Sequence, residues 1–210
     1  MESYNANSRN VRIDIVRGIA ILCIIIGHMG VMKINRVVFT FHVPIFFLIT
    51  GYFFSSKVTI GDFINKRIKT LIIPYAFTCI IMVCVAVVKE LTMGDASNVM
   101  YVVKKWLYAS IYGAGDSYTT PFYIEGIGAI WFLWATFWGC VMLKILDCVN
   151  EKLRAVIVIC VFCVGYYSRN ICWFPLSIQA GCTALLFLYF GFLIKRIYQG
   201  YLVILGKIVF

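Results

Sequence analysis

The stretch that decides the fold is "RIDIVRGIAILCIIIGHMG", residues 12–30. It is apolar and long enough to cross the hydrocarbon core of a bilayer, which takes about 20 residues of helix. Yet Arg17 and His28 lie within or at the edge of the apolar run. Ionisable groups at membrane depth are unfavourable, by about 2.5–3.5 kcal/mol for a central arginine, and they usually face a protein interior or a watery cavity. The stretch therefore predicts a membrane helix whose ionisable residues have a function.

Helix geometry places Arg17 and His28 on the same face of this helix. They are eleven residues apart, and eleven steps of about 100° end roughly 20° past three full turns, about 16.5 Å along the axis. With the N-terminus inside the cell, Arg17 lies near the cytoplasmic edge and His28 toward the outer half. Arg17 is shallow enough to snorkel to the interface, so a structural role stays open for it. His28 is too short to snorkel, which favours a functional role.

The rest of the chain is as apolar as this stretch. Hydrophobic residues make up 62% and charged residues 13% of the chain, and the mean hydropathy is +0.92. These values exclude an ordinary soluble domain and predict an all-α, polytopic bundle of transmembrane helices with about six complete spans and the start of a seventh. The spans are expected at 13–32, 37–55, 71–88, 129–146, 155–168 and 177–194, with 201–210 cut off by the end of the chain.

The positions of the charged residues and of the cysteines further restrict the possible class of protein and the possible kinds of site. The net charge of +10 does not predict binding to nucleic acid, because the basic residues collect in short loops between spans. More of them fall on the side of the N-terminus, which predicts a cytoplasmic N-terminus. Cys160 and Cys163 have C-x-x-C spacing, but no second pair or histidine accompanies them, so no metal site is expected. Residues 1–10 read as a short polar lead, and 11–210 as one membrane domain.

A second histidine opens the next span, "FTFHVPIFFLITGYFF", residues 39–54. The connection at 33–36 is short enough to force a tight antiparallel hairpin, which brings His42 to about the depth of His28. Two imidazoles at one level are typical of a proton-handling pair, or of a base with its partner. Pro44 and Gly51 could kink this helix or thin its packing and so open room beside the histidines.

Two further groups of residues are candidates for binding substrates. Residues 57–70 are expected to form a cytoplasmic loop ahead of the third span, and this loop holds Lys66, Arg67 and Lys69. Positive-inside bias explains these cations, but they would also suit a phosphate-bearing donor. On the outer side, "PFYIEGIGAIWFLWATFW", residues 121–138, holds Glu125 and Trp131. Glu125 is explained as a solvated acid in a loop, and Trp131 as part of an interfacial aromatic belt. Both residues would also suit a sugar acceptor.

Four segments together resemble the signatures of the acyltransferase family 3 membrane proteins, which are bacterial O-acyltransferases that acetylate cell-surface sugars. The segments are "RIDIVRGIAILCIIIGH" (12–28), "FHVPIFFLITGYFF" (41–54), "KRIKTLIIPY" (66–75) and "GAIWFLWATFW" (128–138). The resemblance implies catalytic importance for Arg17 and His28, marks His42 and Pro44, and assigns the basic stretch before "IPY" to the donor.

The resemblance implies transfer of an acetyl or similar acyl group to a hydroxyl of a glycan or lipid-linked sugar, at the inner membrane of a bacterium. The donor is a cytosolic acyl-CoA, with acetyl-CoA as co-substrate and no bound cofactor. In this scheme His28 is the general base, Arg17 stabilises charge on the donor, and His42 positions the donor or assists His28. Domains of this family usually have more spans, so residues 11–210 are expected to be incomplete at the C-terminus.

Two other functions remain open from the sequence. A transporter could use the buried histidines to relay protons and Arg17 to bind an anion, although the paired repeats typical of such folds are not visible. A non-catalytic, truncated paralogue would carry the same signatures without needing them.

Overall fold

The computed structural model describes residues 11–27, 29 and 32–208, and this part of the chain is helical with no β-sheet. His28 lies outside the described residues. Short 3₁₀ turns precede three of the helices, at Ala96–Asn98, Gly128–Ile130 and Pro175–Ser177. The α-helices are α1 (Val11–Gly27), α2 (Met32–Tyr52), α3 (Ile60–Arg67), α4 (Ile73–Met93), α5 (Val99–Tyr112), α6 (Trp131–Leu146), α7 (Glu151–Ser168) and α8 (Ile178–Ile208).

Three helical stretches of the described chain are long and apolar enough to cross a membrane, as judged by length and composition. They are Ile60–Met93, Gly128–Leu146 and Pro175–Gly200, and a shorter apolar helix covers Phe41–Tyr52. The all-α fold predicted from the sequence is confirmed, and three of the predicted spans fall on these stretches. The count of six and the cytoplasmic N-terminus stay predictions.

The basic segment before the third span is a helix, not the loop predicted for residues 57–70. Thr59 begins α3, where its hydroxyl accepts a hydrogen bond from the backbone N–H of Asp62 at 3.2 Å and donates one to the carboxylate of Asp62 at 2.7 Å. A π-helical segment, Ile68–Ile72, then joins α3 to α4 just ahead of Pro74. The local cap was readable in the sequence, but the basic composition favoured a loop.

Residues 98–113 are an amphipathic run that could lie at the membrane interface, and most of them form helix α5, which packs against α4; the position of this run relative to a membrane stays a prediction. Helix α5 runs back beside α4 after the turn at 94–98. The hydroxyl of Tyr75, in the first turn of α4, donates to the carbonyl oxygen of Ser110 at 2.6 Å. The end of α5 therefore lies beside the start of α4.

Helix α8 is the centre of the bundle and packs against α2, α6 and α7. Its contact with α2 depends on two glycines: a Cβ on Gly51 would overlap the carbonyl of Leu188, and a Cβ on Gly191 would overlap the carbonyl of Leu48. Small residues at such crossings let helix backbones approach closely, which is a main source of packing energy in membranes. The core around this contact includes Phe47, Phe54, Ala135, Leu143, Val158, Leu185 and Leu188.

Buried charges join the helices at the end of the bundle where α2 and α6 end and α7 begins. This region is called the basic end, and it contains Lys144, Asp147, Arg154 and Lys195. The ammonium of Lys144 lies 3.7 Å from the carboxylate of Asp147 and donates to the carbonyl oxygen of Ser56 at 3.0 Å. A guanidinium nitrogen of Arg154 lies 3.9 Å from the same carboxylate, and Lys195 donates to the carbonyl oxygen of Phe54 at 2.7 Å.

Candidate functional site

A cavity of about 630 Å³ opens between the α1–α2 hairpin and the ends of α6, α7 and α8 that lie away from the basic end. Its volume is within the range of small-molecule sites, about 300–1,000 Å³. Apolar residues of α1 and α2 form one wall, among them Ile24, Val43, Phe46 and Phe47. The opposite wall and the mouth are formed by Gly115, Asp116, Tyr118, Gly128, Ala129, Trp131, Phe132, Gly165, Arg169, Trp173, Gln179, Ala180 and Thr183.

His42 lines this cavity and is 8% exposed. Its Nδ1 donates to the carbonyl oxygen of Val38, one helical turn earlier, at 2.8 Å. Because a carbonyl can only accept, this bond holds a proton on Nδ1 and makes Nε2 the basic nitrogen of the neutral ring. An imidazole held in this tautomer is suited to take a proton from a substrate in the cavity.

Arg17 lies at the other end of the hairpin from the cavity mouth. Its side chain is 47% exposed, with a nitrogen 3.7 Å from the carboxylate of Asp14. Its guanidinium stands over the ring of Phe53, 5.1 Å from the centroid. His42 precedes the end of α2 at Tyr52 by ten residues, or about 15 Å of helix. Arg17 and His42 are therefore separated by about half the thickness of a bilayer.

The predicted stripe on α1 points toward the cavity. Ile24 lines the cavity and follows Arg17 by seven residues, a rotation about 20° short of two full turns. Arg17 and Ile24 therefore share the face of α1 that looks toward the cavity side of the hairpin. His28, the third member of the stripe, lies outside the described residues, and its role stays a prediction.

The basic residues predicted to bind the donor lie at the same end as Arg17. Lys66 and Lys69 are exposed, and Arg67 is half-buried with its guanidinium 5.1 Å from the ring centroid of Phe63. Phe63 in turn packs edge-on against Phe54, at 5.6 Å between centroids, and Phe54 is next to the ring under Arg17. Lys66, Arg67 and Lys69, called the basic cluster, therefore lie at the end of the bundle that holds Arg17.

The two acceptor-side candidates are separated by the fold. Trp131 lines the cavity. Glu125 instead forms an ion pair with Lys105 of α5 at 2.5 Å and accepts a hydrogen bond from the hydroxyl of Tyr123 at 3.0 Å. The hydrogen bond from Lys105 holds the pKa of Glu125 below its usual value, and the same bond raises the pKa of Lys105. In this structure Glu125 ties α5 to the loop that follows it.

Several cavity residues were missed in the sequence, above all Asp116, Arg169 and Gln179. Gln179 is 2% exposed; it accepts from the backbone N–H of Phe174 at 2.7 Å and donates to the carbonyl oxygen of Cys172 at 2.7 Å. It therefore holds the segment between α7 and α8 against the cavity. Single polar residues in a loop or at the end of a helix carry no periodic signal, so only the fold shows that they share a site with His42.

The described residues hold no group of three or more histidine, cysteine or acidic side chains that could bind a metal. Cys160 and Cys163 are exposed on α7 and carry no disulfide.

Comparison with known proteins decides the family. The profile of the acyltransferase family 3, described as an acyltransferase domain, matches residues 10–203. The chain belongs to this family. Its members are membrane-embedded, in agreement with the apolar helices of the bundle. No solved structure matches the chain.

Two relatives are nodulation proteins NolL. The protein of Sinorhizobium fredii is 25% identical over 163 residues, which is 70% of this chain and 39% of the relative. The protein of Mesorhizobium japonicum is 26% identical over 160 residues, which is 69% of this chain and 38% of the relative. The chain thus matches about two fifths of the length of these relatives, and the matched family region contains Arg17, His42 and the basic cluster.

Proposed function

We propose that the protein is an integral membrane O-acyltransferase of the bacterial inner membrane, with six spans and a cytoplasmic N-terminus. It moves an acetyl or similar acyl group from a cytosolic acyl-CoA to a hydroxyl of a cell-surface or envelope glycan. The observation that carries this proposal is the cavity of about 630 Å³ with His42 in its wall, opening away from the end that holds Arg17 and the basic cluster. Donor and acceptor can then approach from opposite sides of the membrane.

The donor side is formed by Arg17, Lys66, Arg67 and Lys69. The phosphates of an acyl-CoA need several cations within reach, and Lys66 and Lys69 are exposed to receive them. Arg17 lies on the face of α1 that contains Ile24, and in this proposal it stabilises charge on the thioester end of the donor. This assignment explains why an arginine lies at the start of an apolar helix.

The acceptor side is the cavity, where an imidazole acts as general base. The base removes the proton of the acceptor hydroxyl, the oxygen attacks the thioester carbonyl, and a C–O bond forms as the C–S bond breaks. The thiolate of coenzyme A leaves and takes up a proton, and the base returns its own proton to solvent. His42 has the tautomer for this role, and His28 is the second candidate, with the two acting as base and partner.

The test replaces His42 with Asn. The side-chain amide of H42N can still donate to the carbonyl oxygen of Val38 but offers no basic ring nitrogen. Acyl transfer to envelope glycan, measured with radiolabelled acetyl-CoA in membrane vesicles, is expected to fall by about 10²–10⁴ for loss of a general base. H28N is expected to behave similarly. Full transfer by both variants would refute the proposal, and retained transfer by only one would assign the base to the other.

The test also separates the alternatives. Arg17→Gln is expected to raise KM for acetyl-CoA and lower kcat, whereas Lys152→Gln, an exposed cation at the start of α7, serves as the matched control. Loss of proton-coupled uptake in H42N, without any acyl transfer by the wild type, would indicate a transporter. Absence of both activities in the wild-type chain would indicate a non-catalytic paralogue.

A further inference from the structure

The mouth of the cavity carries two opposite charges that the proposed chemistry does not use. Among the described residues that line it, Asp116 and Arg169 are the ones that carry a full charge, and Tyr118 lines it with them. These three residues are called the rim. They come from the loop after α5 and from the end of α7, 53 residues apart in the chain.

The two charged side chains of the rim do not form an ion pair with each other. Both side chains are exposed, and across the described chain neither forms an ion pair within 4.0 Å or a side-chain hydrogen bond. The guanidinium of Arg169 lies over the ring of Tyr166, 5.6 Å from its centroid, a contact that does not use its N–H groups as hydrogen-bond donors to an oxygen. Burial raises the pKa of Tyr118, and the charges of Arg169 and Asp116 act on that pKa in opposite directions. Tyr118 therefore lies within reach of both.

The segments that carry the rim are held rigidly. Tyr118 and Ile124 exchange backbone hydrogen bonds of 3.0 and 2.7 Å, and the ring of Tyr118 stacks on Trp173, with centroids 4.5 Å apart. Trp173 donates from its backbone N–H to the carbonyl oxygen of Thr120 at 3.1 Å, which joins the two segments. Gln179 fixes the segment after Arg169. A ligand that binds here does not have to order these loops first, which favours recognition.

We propose that the rim is the specificity-determining site for the acceptor, and that it selects an uncharged sugar residue with adjacent free hydroxyls. Asp116 accepts a hydrogen bond from one hydroxyl and Arg169 donates to its neighbour. A sugar presents both kinds of group side by side, whereas an anionic sugar would satisfy Arg169 and be repelled by Asp116. This inference rests on the proposed acyl transfer and names its acceptor class.

The experiment measures acyl transfer to two soluble oligosaccharides of equal length, one of neutral hexoses and one of uronic acids. The isosteric variants are D116N and R169Q. The matched controls are D95N and K104Q, which alter exposed charges away from the cavity. Wild type is expected to prefer the neutral oligosaccharide. D116N and R169Q are each expected to raise KM for it by about tenfold, as for loss of one charge-assisted hydrogen bond, with kcat nearly unchanged.

The outcomes distinguish this inference from the function on which it rests. If wild type acylates the neutral oligosaccharide and neither variant changes KM relative to its control, the rim does not read the acceptor. If wild type prefers the uronic-acid oligosaccharide and R169Q abolishes only that transfer, the rim selects an anion and the inference is wrong. If wild type acylates neither these sugars nor envelope glycan, the proposed function itself fails.

Discussion

The buried carboxylate of Asp147 is expected to be the most sensitive charge at the basic end. Its side chain is 14% exposed, and those of Lys144 and Arg154 are each 8% exposed. It also accepts a hydrogen bond from the hydroxyl of Ser56 at 3.0 Å. The substitution D147N keeps the shape and one acceptor oxygen but leaves two cations without their counterion.

The expected loss of stability follows from this burial. Removing one partner of a buried ion pair destabilises a protein by about 3–5 kcal/mol, because an uncompensated charge stays in a poorly solvated site. Arg154 keeps its two hydrogen bonds of 2.8 Å, to the carbonyl oxygens of Asp147 and Val149, so the lower half of that range is expected. For a chain of this size, about 3 kcal/mol corresponds to roughly 6–12 °C in Tm.

Thermal unfolding in detergent, followed by loss of the monodisperse peak in size-exclusion chromatography, measures this shift. The control is E151Q, the same change of acid to amide at the same end of the bundle. Glu151 pairs with Arg196 at 3.2 Å, but the two side chains are 59% and 48% exposed, so the pair contributes about 0–1 kcal/mol. The double variant D147N/K144Q removes one orphaned cation and is expected to recover part of the loss. Equal Tm values for D147N and E151Q would refute the reasoning.

Two further predictions concern the packing of α8 and the loop after α5. G191A is expected to lose about 1–3 kcal/mol of stability, because a Cβ there overlaps the backbone of α2. G200A on the same helix has open space at that position and is expected to be neutral or slightly stabilising, so similar Tm losses for both would contradict the contact. The ion pair of Glu125 with Lys105 lowers the pKa of Glu125. The contribution of this pair to stability is therefore present above the ordinary pKa of a glutamate, and it is lost as the pH falls through the lowered pKa. Over that acidic range the protection of the α5 amides against hydrogen exchange, taken relative to the intrinsic exchange rate at each pH, should fall in the wild type, and E125Q should remove this pH dependence.

The candidate site was partly readable in the sequence. The apolar runs, the arginine at the start of one and the histidine near the start of the next mark a membrane protein with polar residues at depth, because each signal lies within one helix. The placement of Arg17 and Ile24 on one face of α1 needs only the period of the helix. The helix at residues 60–67 was missed, because the basic composition outweighed the capping signal. The packing of α5 on α4 was missed, because an amphipathic pattern does not identify the surface that the helix packs against.

The sequence by itself determined that this chain forms apolar helices and that Arg17, His42 and the basic cluster belong to recognisable signatures. Only the tertiary structure decided that His42 lines a cavity, that Glu125 pairs with Lys105 away from it, and that Asp116 and Arg169 both line its mouth. The physical reason is the separation along the chain over which each effect acts. The helix period acts between residues that are neighbours in the chain, and the need to bury one helix face leaves a local pattern of apolar residues. A cavity depends on the packing of three other helices, α2, α6 and α7, on α8, and that packing depends on contacts such as Gly51 against Leu188, which no local pattern specifies.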